Sequence, residues 1–532
     1  MISGDRRLKK SRFQTLIISE NDRSRVSFSD ELDSDMVELD SDMVESVRQW
    51  WVVLSDSGAA MAFCTRSTVR KLVNMEVTIV SRDTIKPAAT SSSLHRHQKP
   101  YKLCIIDQLI PATYTPMVFF YPITDPNFNL QQTLANLKNS LSRTLTLYYP
   151  FSGRTQNNLY INDFDAGVPY LEAQVKCSMF EFLELKEIEL LNRFIPLPPF
   201  RKETEDDHDL LPLIAFQVSV FACGGISIGV SLSHKIFDGV TADTFLKSWA
   251  AICRGDHDEK TMTTLHLNLS QASLTFPARD DLPQKYTAFV ESLWFQEKNY
   301  VTRRFVFDAK AIATLRDRAK SELVPNPTRV ETLTCFLWKH AISASRLVST
   351  GNSQRASLVA HAVNLRRRLN PPMADNIIGN IIWFATALNN HTDEAETTQL
   401  CDLLKLLRMS FEGFDNDYLQ TFCGEEGLGA FSKYFNQLLE VMHSLESPPE
   451  IYGFTSWTNI LSEIDFGWGR PVWIGAGGSV GPAFRNFIVL VETQWGNGIE
   501  AWVTLDKKQM AIMEKDPQFL AFASPNPRIS GI

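Results

Sequence analysis

The sequence lacks several features that mark special classes of protein. No stretch of its 532 residues approaches the roughly 18 unbroken apolar residues of a membrane span. None of its 8 cysteines has a partner at C-x-x-C spacing, which speaks against a zinc cluster or a disulfide framework and favours a reducing compartment, the cytoplasm. Lys and Arg number 53 against 61 Asp and Glu, a net charge of −8, so a nucleic-acid partner is not expected.

What is present is ample material for a folded core. Hydrophobic residues make up 44% of the chain, with 34 Phe and 11 Trp. Residues 1–74 differ from the rest, because they carry the acidic heptad ELDSDMV twice, at 31–37 and 38–44, and no apolar run long enough for a secretory signal. We therefore predict that residues 1–74 form a poorly ordered extension, and that the main fold begins at Met75.

From Met75 onward, strand-like and helix-like patterns alternate. Met117–Tyr121 and Gln217–Leu232 have strand character, residues 129–147 carry a helical apolar stripe, and Phe305 opens a second such series. Residues 254–298 hold charges, prolines and few periodic runs, as a linker does. The pattern predicts two α/β domains around mixed sheets, over 75–270 and 299–532, joined by a linker over 271–298.

The sharpest local feature is Ser233-His234-Lys235-Ile236-Phe237-Asp238-Gly239, which lies between a strand pattern at Ile226–Leu232 and an apolar helix pattern at Ala242–Cys253. A histidine at a strand end can project its imidazole into a cleft, and its ordinary pKa of about 6.5 suits it to take a proton. Asp238 could orient that ring or anchor the turn. The spacing alone is weak, and a structural histidine beside a turn is the alternative.

A rival motif precedes it. Gly225-Ile226-Ser227-Ile228-Gly229 matches the G-x-S-x-G of serine hydrolases, which requires a strand before the serine and a helix after it. Here Ile228, Val230 and Leu232 continue the alternation of a strand beyond Ser227, which predicts a structural serine in the middle of a strand.

Two further segments could meet an anion. Thr328-Arg329-Val330-Glu331 fits a capping box at the start of a helix, where free N–H groups can take a phosphate, although most capping boxes only start helices. Arg366-Arg367-Arg368 is a short basic run; such runs are usually solvated, but this one could meet an anionic cofactor.

Two more segments carry glycine or hydrogen-bond donors. Asp465-Phe466-Gly467-Trp468-Gly469 places two glycines beside large aromatics, which favours an unusual backbone packed on rings over a catalytic role. Just before it, Thr455-Ser456-Trp457 offers a hydroxyl and an indole N–H, and both can donate hydrogen bonds to a developing oxyanion.

Together these segments resemble the plant BAHD family of CoA-dependent acyltransferases, in its alkaloid and alcohol acetyltransferase branch. His234–Gly239 corresponds to the family's H-x-x-x-D-G and Asp465–Gly469 to its D-F-G-W-G, in the expected order. Further matches, over a resemblance that runs from about Met75 to about 523, are Leu147–Arg154, Val363–Arg366, Ile378–Asn380 and Gly498–Val503.

The resemblance implies the fold and the roles of the residues. It implies an α/β fold of two similar-sized domains, with mixed sheets flanked by helices as in chloramphenicol acetyltransferase, and an active-site channel between them. His234 would be the general base and Asp238 its support, pointing away and pairing with an arginine. The remaining roles are an oxyanion site at Thr455 and Trp457 and a structural motif at Asp465, Gly467 and Gly469.

The resemblance also implies the partners. Acyl-CoA would be the co-substrate, with acetyl-CoA as the expected donor and a small plant alcohol, alkaloid or terpenoid as acceptor. The resemblance implies no bound cofactor or metal, and a monomeric enzyme. The expected CoA-facing residues are Thr328, Arg329, Asn364, Arg366, Gly379 and Asn380. Two alternatives stay open at this point: a non-catalytic relative that binds CoA or another small molecule, and a serine hydrolase that uses Ser227.

Overall fold

The computed structural model describes residues 75–88, 99–185, 187–199, 211–256, 267–296, 299–349, 355–390, 399–478 and 485–529. The extension predicted over residues 1–74 lies outside these ranges, apart from the backbone of three short strands. These are β1 (Thr15–Ile18), β2 (Arg25–Ser29) and β3 (Met36–Glu38), which pair antiparallel with one another. One large compact unit, Thr78–Gln174 with Ser178–Ile532, contains the elements that build the site.

The described strands beyond residue 75 form two large sheets and one small one. They are β4 (Val77–Ile85), β5 (Tyr101–Lys102), β6 (Tyr114–Tyr121), β7 (Arg154–Gln156), β8 (Tyr160–Asn162), β9 (Val168–Val175), β10 (Ile214–Phe221), β11 (Ile226–Ser233), β12 (Tyr300–Phe307), β13 (Ser357–Asn364), β14 (Ile382–Asn389), β15 (Glu450–Ser456), β16 (Trp473–Gly475), β17 (Phe487–Glu492), β18 (Ile499–Asp506) and β19 (Ser524–Pro525).

The first large sheet has the order β16-β6-β11-β10-β9-β4. Its centre is a tight hairpin of β10 and β11, closed where Gly224 adopts a φ of +82°, a conformation that glycine reaches without steric cost. Every residue of β11 is buried. The edge strand β16 comes from the second half of the chain and pairs with β6, so that the second half completes the first sheet.

The second large sheet has the order β14-β13-β15-β17-β18-β12-β19. The pairs β13–β15 and β15–β17 are parallel, while β13–β14, β17–β18 and β12–β18 are antiparallel. This confirms the predicted mixed sheet. Strand β15 is an interior strand of this sheet, and its last residues, Thr455 and Ser456, belong to the site described below.

The helices cover these sheets. They are α1 (Ile105–Leu109), α2 (Leu130–Leu147), α3 (Met179–Glu184), α4 (Gly239–Arg254), α5 (Gln271–Thr275), α6 (Gln284–Trp294), α7 (Ala309–Ala319), α8 (Arg329–Val348), α9 (Leu400–Glu412), α10 (Asn416–Gln420), α11 (Gly427–Ser444), α12 (Lys507–Met513) and α13 (Pro517–Leu520). Within the described ranges, no helix combines the length and the apolar character needed to cross a membrane.

Local sequence explains the best-defined helices. The capping box predicted at Thr328 is present: its hydroxyl accepts from the backbone N–H of Glu331, whose carboxylate accepts from the N–H of Thr328. Helix α2 packs against α4 through buried hydroxyl and indole groups, with Tyr148 Oη 2.8 Å from Ser248 Oγ and Trp249 Nε1 donating to Ser140 Oγ at 3.1 Å. These bonds satisfy polar groups that would otherwise be buried without partners.

The segment predicted as an irregular linker contains helices α5 and α6. The buried residues of α6 are Tyr286, Val290, Leu293 and Trp294, at the i, i+4, i+7, i+8 spacing of a helical face. The prolines and charges around the helix obscured this stripe. The structure thus corrects the expectation of few periodic elements here, and the end of α6 reaches the site.

Candidate active site

His234 occupies the turn between β11 and α4. Its backbone N–H donates to the carbonyl oxygen of Thr113 at 2.8 Å, which fixes the chain as it leaves the sheet. Helix α4 then starts at Gly239 with Asp238 as its N-cap, the side chain of which accepts from the N–H of Thr241 at 2.8 Å. The strand end, the turn and the cap hold the His234 ring at the wall of a cavity.

The cavity is large and mostly apolar. It has an empty volume of about 1400 Å³, the open solvent at its mouths included. Its walls come from both large sheets and from α4 and the end of α6. Among the described residues that line it, the titratable ones are His234 and Asp238, and the Phe and Trp residues are Phe237, Trp294, Phe295, Phe384, Phe454, Trp457 and Phe487. Such a cavity suits a bulky, weakly polar ligand.

The hydrogen bonds around Asn380 fix the tautomer of His234. The Nδ2 group of Asn380 donates to Asp107 Oδ1 and to the carbonyl oxygen of His234, both at 2.8 Å. Its Oδ1 is therefore the atom that faces His234 Nδ1, at 3.2 Å. Because an amide oxygen only accepts, Nδ1 must carry the proton, and Nε2 is left with a lone pair as a base requires.

The environment of His234 keeps the ring neutral. Burial lowers the pKa of His234 below its ordinary value and outweighs the opposing effects of the Asp238 carboxylate and the hydrogen bond to Asn380. At neutral pH the ring is therefore uncharged, and its Nε2 is able to accept a proton.

Asp238 is paired with Arg366 rather than with His234. Arg366 Nη1 and Nη2 donate to Asp238 Oδ2 and Oδ1 at 2.5 and 3.3 Å, and both side chains are completely buried. Burial by itself would raise the pKa of Asp238, but the arginine and the N–H groups of Ile381 and Thr241 hold that pKa below its usual range. The pair joins the start of α4 to the segment after β13.

This pairing corrects the expectation that Arg366 meets the phosphates of CoA. Its Nη2 also donates to the carbonyl oxygens of Ile377 and Gly379, both at 3.1 Å, so the guanidinium is enclosed by protein. Asn380, also expected at the cofactor, is completely buried behind His234. In a basic run of three, the sequence alone could not show which arginine points inward.

Thr455 and Trp457 line the same cavity as His234. Thr455 lies near the end of β15, and Trp457 is the first residue after that strand. The backbone N–H of Trp457 donates to the carbonyl oxygen of Leu490 at 2.7 Å. The structure therefore brings His234 to the same cavity as Thr455 and Trp457, the residues predicted as a base and as two hydrogen-bond donors.

A sequence profile described as the Transferase family matches residues 75–520. This chain belongs to that family, the BAHD acyltransferases. It is therefore an acyltransferase, and the donor that its family uses is an acyl-CoA. The resemblance drawn from H-x-x-x-D-G and D-F-G-W-G is confirmed.

Individual relatives match over nearly their whole length. Akuammiline synthase 2 of Alstonia scholaris is 36% identical over 458 residues, which cover 86% of this chain and 98% of that protein. Limonoid 7-O-acetyltransferase of Citrus sinensis is 36% identical over 472 residues, 85% of this chain and 99% of that protein. The crystal structure of vinorine synthase matches with a TM-score of 0.68 at 31% identity, covering 84% of this chain and 99% of that one, which confirms the expected fold class.

The D-F-G-W-G segment of this BAHD chain forms a compact turn. Asp465 Oδ1 accepts from the N–H groups of Gly467 and Gly469 at 2.8 and 3.0 Å, and these glycines adopt φ angles of +110° and +104°. The Phe466 ring packs edge-on against Trp249, and the Trp468 ring against Tyr121. None of the motif's residues is among those that line the cavity, which agrees with a structural role.

The other predicted CoA contacts divide into two groups. Asn364 lines the cavity, and its Oδ1 accepts from the backbone N–H of Arg366 at 3.0 Å. Thr328, Arg329 and Gly379 are not among the lining residues; the Thr328 hydroxyl is held by its capping box, and Arg329 Nη2 donates to Glu492 Oε1 at 2.7 Å. A role of Thr328 and Arg329 in CoA binding remains a prediction.

Ser227 lies inside β11, as the alternation predicted. Its side chain is completely buried, and within the described part of the chain its Oγ has no hydrogen-bond partner. A nucleophilic serine needs a base within hydrogen-bond reach and an exposed hydroxyl. The structure therefore contradicts the serine hydrolase alternative.

Sequence reasoning missed two groups of residues at this BAHD site. The aromatic wall of Trp294, Phe295, Phe384 and Phe487 comes from three elements, the end of α6, β14 and β17, and only Trp294 carried a sequence signal, the helical stripe of α6. Asp107, which anchors Asn380, was also missed. It lies 273 residues from its partner, and no local pattern joins the two.

Proposed function

We propose that this chain transfers an acetyl group from acetyl-CoA to a hydroxyl of a bulky, weakly polar plant metabolite, a terpenoid or an alkaloid. The observation that carries the proposal is the His234 ring, fixed with Nδ1–H toward Asn380 and Nε2 unprotonated, at the wall of a large apolar cavity. The names of the relatives, a limonoid acetyltransferase among them, support the choice of acetyl donor and acceptor class.

The chemistry follows from that geometry. The acceptor hydroxyl gives its proton to His234 Nε2 as its oxygen bonds to the thioester carbonyl carbon. The carbonyl oxygen becomes an oxyanion, which the Thr455 hydroxyl and the Trp457 indole N–H stabilise by hydrogen bonds. The intermediate then collapses: the carbon–sulfur bond breaks, and the imidazolium returns its proton to the CoA sulfur. General-base catalysis of this kind contributes about 10²–10⁴-fold.

The residues that line the cavity favour an acceptor that carries no charged group on the part that enters the cavity. Asp238 is the acidic residue among the described lining residues, and its side chain is completely buried and already neutralised by Arg366, so it offers little to a buried cation. Trp294 packs against Phe384 and Phe487, with ring centroids 5.3 and 5.8 Å away, and this wall suits a rigid polycyclic skeleton.

Three further expectations belong to the proposal. The enzyme works in the cytoplasm, which agrees with the scattered thiols, and it works as a monomer. It divides into domains over 75–270 and 299–532. Neither CoA binding nor catalysis requires residues 1–74, since the family match begins at residue 75.

The proposal is tested by CoA release with the purified full-length chain, across acetyl-, malonyl- and benzoyl-CoA and a panel of terpenoid, alkaloid and simple alcohols. We expect acetyl-CoA and a polycyclic alcohol to give CoA and an O-acetyl product in equal amounts. His443→Ala serves as a matched control, because His443 is exposed on α11. If acyl-CoA binds but no alcohol is acylated, the chain is a non-catalytic binding relative.

A further inference from the structure

Asp107 is the third residue of α1 and is completely buried. It is far from His234 in sequence, but it contacts Asn380, the residue that is hydrogen-bonded to the His234 ring. Its Oδ1 accepts from both the backbone N–H and the side-chain Nδ2 of Asn380, each at 2.8 Å. Its Oδ2 accepts from the backbone N–H of Cys104 at 2.9 Å. All three of these partners are N–H donors, which is the surrounding that a carboxylate requires.

These contacts have a consequence for His234. The amide of Asn380 could be turned in two ways, and only one of them places Oδ1 against His234 Nδ1. Asp107 selects that orientation because a carboxylate accepts from Nδ2 and repels Oδ1. The same residue fixes the backbone of Asn380 through its N–H. Asp107 therefore acts on the imidazole through one intermediate side chain.

The surroundings make this arrangement rigid. Lys235, next to His234 in sequence, donates from its buried Nζ to the carbonyl oxygens of Asp107 and Ile110 at 3.0 and 2.7 Å. Backbone carbonyl groups in and just after α1 thus accept from Lys235 in the His234 turn, and the Asp107 side chain of the same helix accepts from Asn380. The three segments form a closed ring of hydrogen bonds.

We propose that Asp107 is a positioning residue of this acyltransferase, which holds Asn380 so that His234 keeps its proton on Nδ1 and presents Nε2 to the acceptor. The role given to Nε2 rests on the proposed function, whereas the tautomer itself can be observed without any turnover. A histidine held in the wrong tautomer cannot act as the base at the required atom.

The decisive variant is Asp107→Asn. The asparagine side chain would have one oxygen for two sets of N–H donors, those of Asn380 and that of Cys104. Its Nδ2 group must therefore face one of these sets, so that two donors oppose each other. We expect kcat to fall by about 10–100-fold, the usual range for residues that orient a functional histidine, while KM for acyl-CoA stays within about twofold. Asp308→Asn is the matched control: it makes the same substitution at the start of another helix, α7, where Asp308 Oδ1 accepts from the backbone N–H of Ala311 at 2.6 Å.

Nitrogen-15 NMR of histidine-labelled protein gives the readout that a purely structural role would not move. The His234 signals are assigned by their loss in His234→Ala. The wild type and Asp308→Asn should show a protonated Nδ1 and an unprotonated Nε2 above the pKa of His234, and Asp107→Asn should show the other tautomer or a mixture. A wild-type ring protonated on Nε2 would overturn the proposal, even if Asp107→Asn does not fold.

The kinetic outcomes separate this inference from the function. A folded Asp107→Asn enzyme with wild-type kcat and an unchanged tautomer would refute the positioning role and leave the acyltransferase reaction standing. A wild type with the expected tautomer and no acyl transfer to any alcohol would refute the proposed function and leave the positioning role of Asp107 standing.

Discussion

Replacing Arg366 by alanine should destabilise the fold rather than weaken CoA binding. The arginine is completely buried, and it neutralises the equally buried Asp238 through two hydrogen bonds. Its removal leaves a carboxylate with two backbone N–H donors, from Thr241 and Ile381, and no positive charge beside it. The carbonyl groups of Ile377 and Gly379 also lose a donor.

The expected loss can be given a size. Breaking a buried ion pair from one side costs about 3–5 kcal/mol of unfolding free energy, because the remaining charge is not compensated. The neighbouring Arg367 is the control in the same basic run: its side chain is 82% exposed and lies 3.7 Å from Asp375. A pair of that kind is worth about 0–1 kcal/mol, so Arg367→Ala should be nearly neutral.

Chemical denaturation at neutral pH gives the free energy of unfolding of both variants, and titration with acyl-CoA gives their affinity for the donor. Since the pKa of folded Asp238 lies below its unfolded value, the pair's contribution is present at neutral pH and is lost as pH falls through that lower pKa. The difference between wild type and Arg366→Ala should therefore shrink in acid. An Arg366→Ala protein of wild-type stability with a tenfold higher KM for acyl-CoA would refute this reasoning and restore Arg366 to the cofactor site.

Three further predictions concern the base, the glycine turn and the rival serine. The value of kcat/KM should rise with pH and then level off, with its midpoint below the ordinary histidine value of about 6.5, because burial lowers the pKa of His234; a midpoint above that value in a pH–rate profile would contradict the environment described for the ring. Gly467→Ala should lower the unfolding free energy by about 1–3 kcal/mol, because φ is +110° there, while Gly413→Ala, at a φ of −62°, should not; equal stability of the two in urea would count against a strained turn. Ser227→Ala should keep wild-type turnover and stability, and a folded but inactive variant in the CoA-release assay would return the site to a serine mechanism.

Features of the site that depend on residues within one helix or strand could be predicted from the sequence. The strand before His234, the capping of α8 at Thr328 and the buried position of Ser227 all follow from residues within one element, and the structure has them as predicted. The pairing of Asp238 with an arginine was implied by the family resemblance, and the structure identifies that arginine as Arg366.

What could not be read depends on contacts between distant segments. Arg366 and Arg367 are the same residue type in the same run, and only the fold buries one and exposes the other. Asn380 meets His234 across 146 residues, and Asp107 meets Asn380 across 273. The helix α6 is a different case, because its stripe of Tyr286, Val290 and Leu293 was present in the sequence but was outweighed by the prolines nearby.

The central claim is that His234 is the base of an acyl transfer. The most direct test is the turnover of His234→Ala beside His443→Ala, with acyl-CoA affinity measured by calorimetry on the same samples. We expect His234→Ala to bind acyl-CoA normally while its turnover on a verified acceptor falls by at least about 10²-fold, the low end for a lost general base, and His443→Ala to match the wild type. Equal turnover of His234→Ala and the wild type on that acceptor would contradict the account.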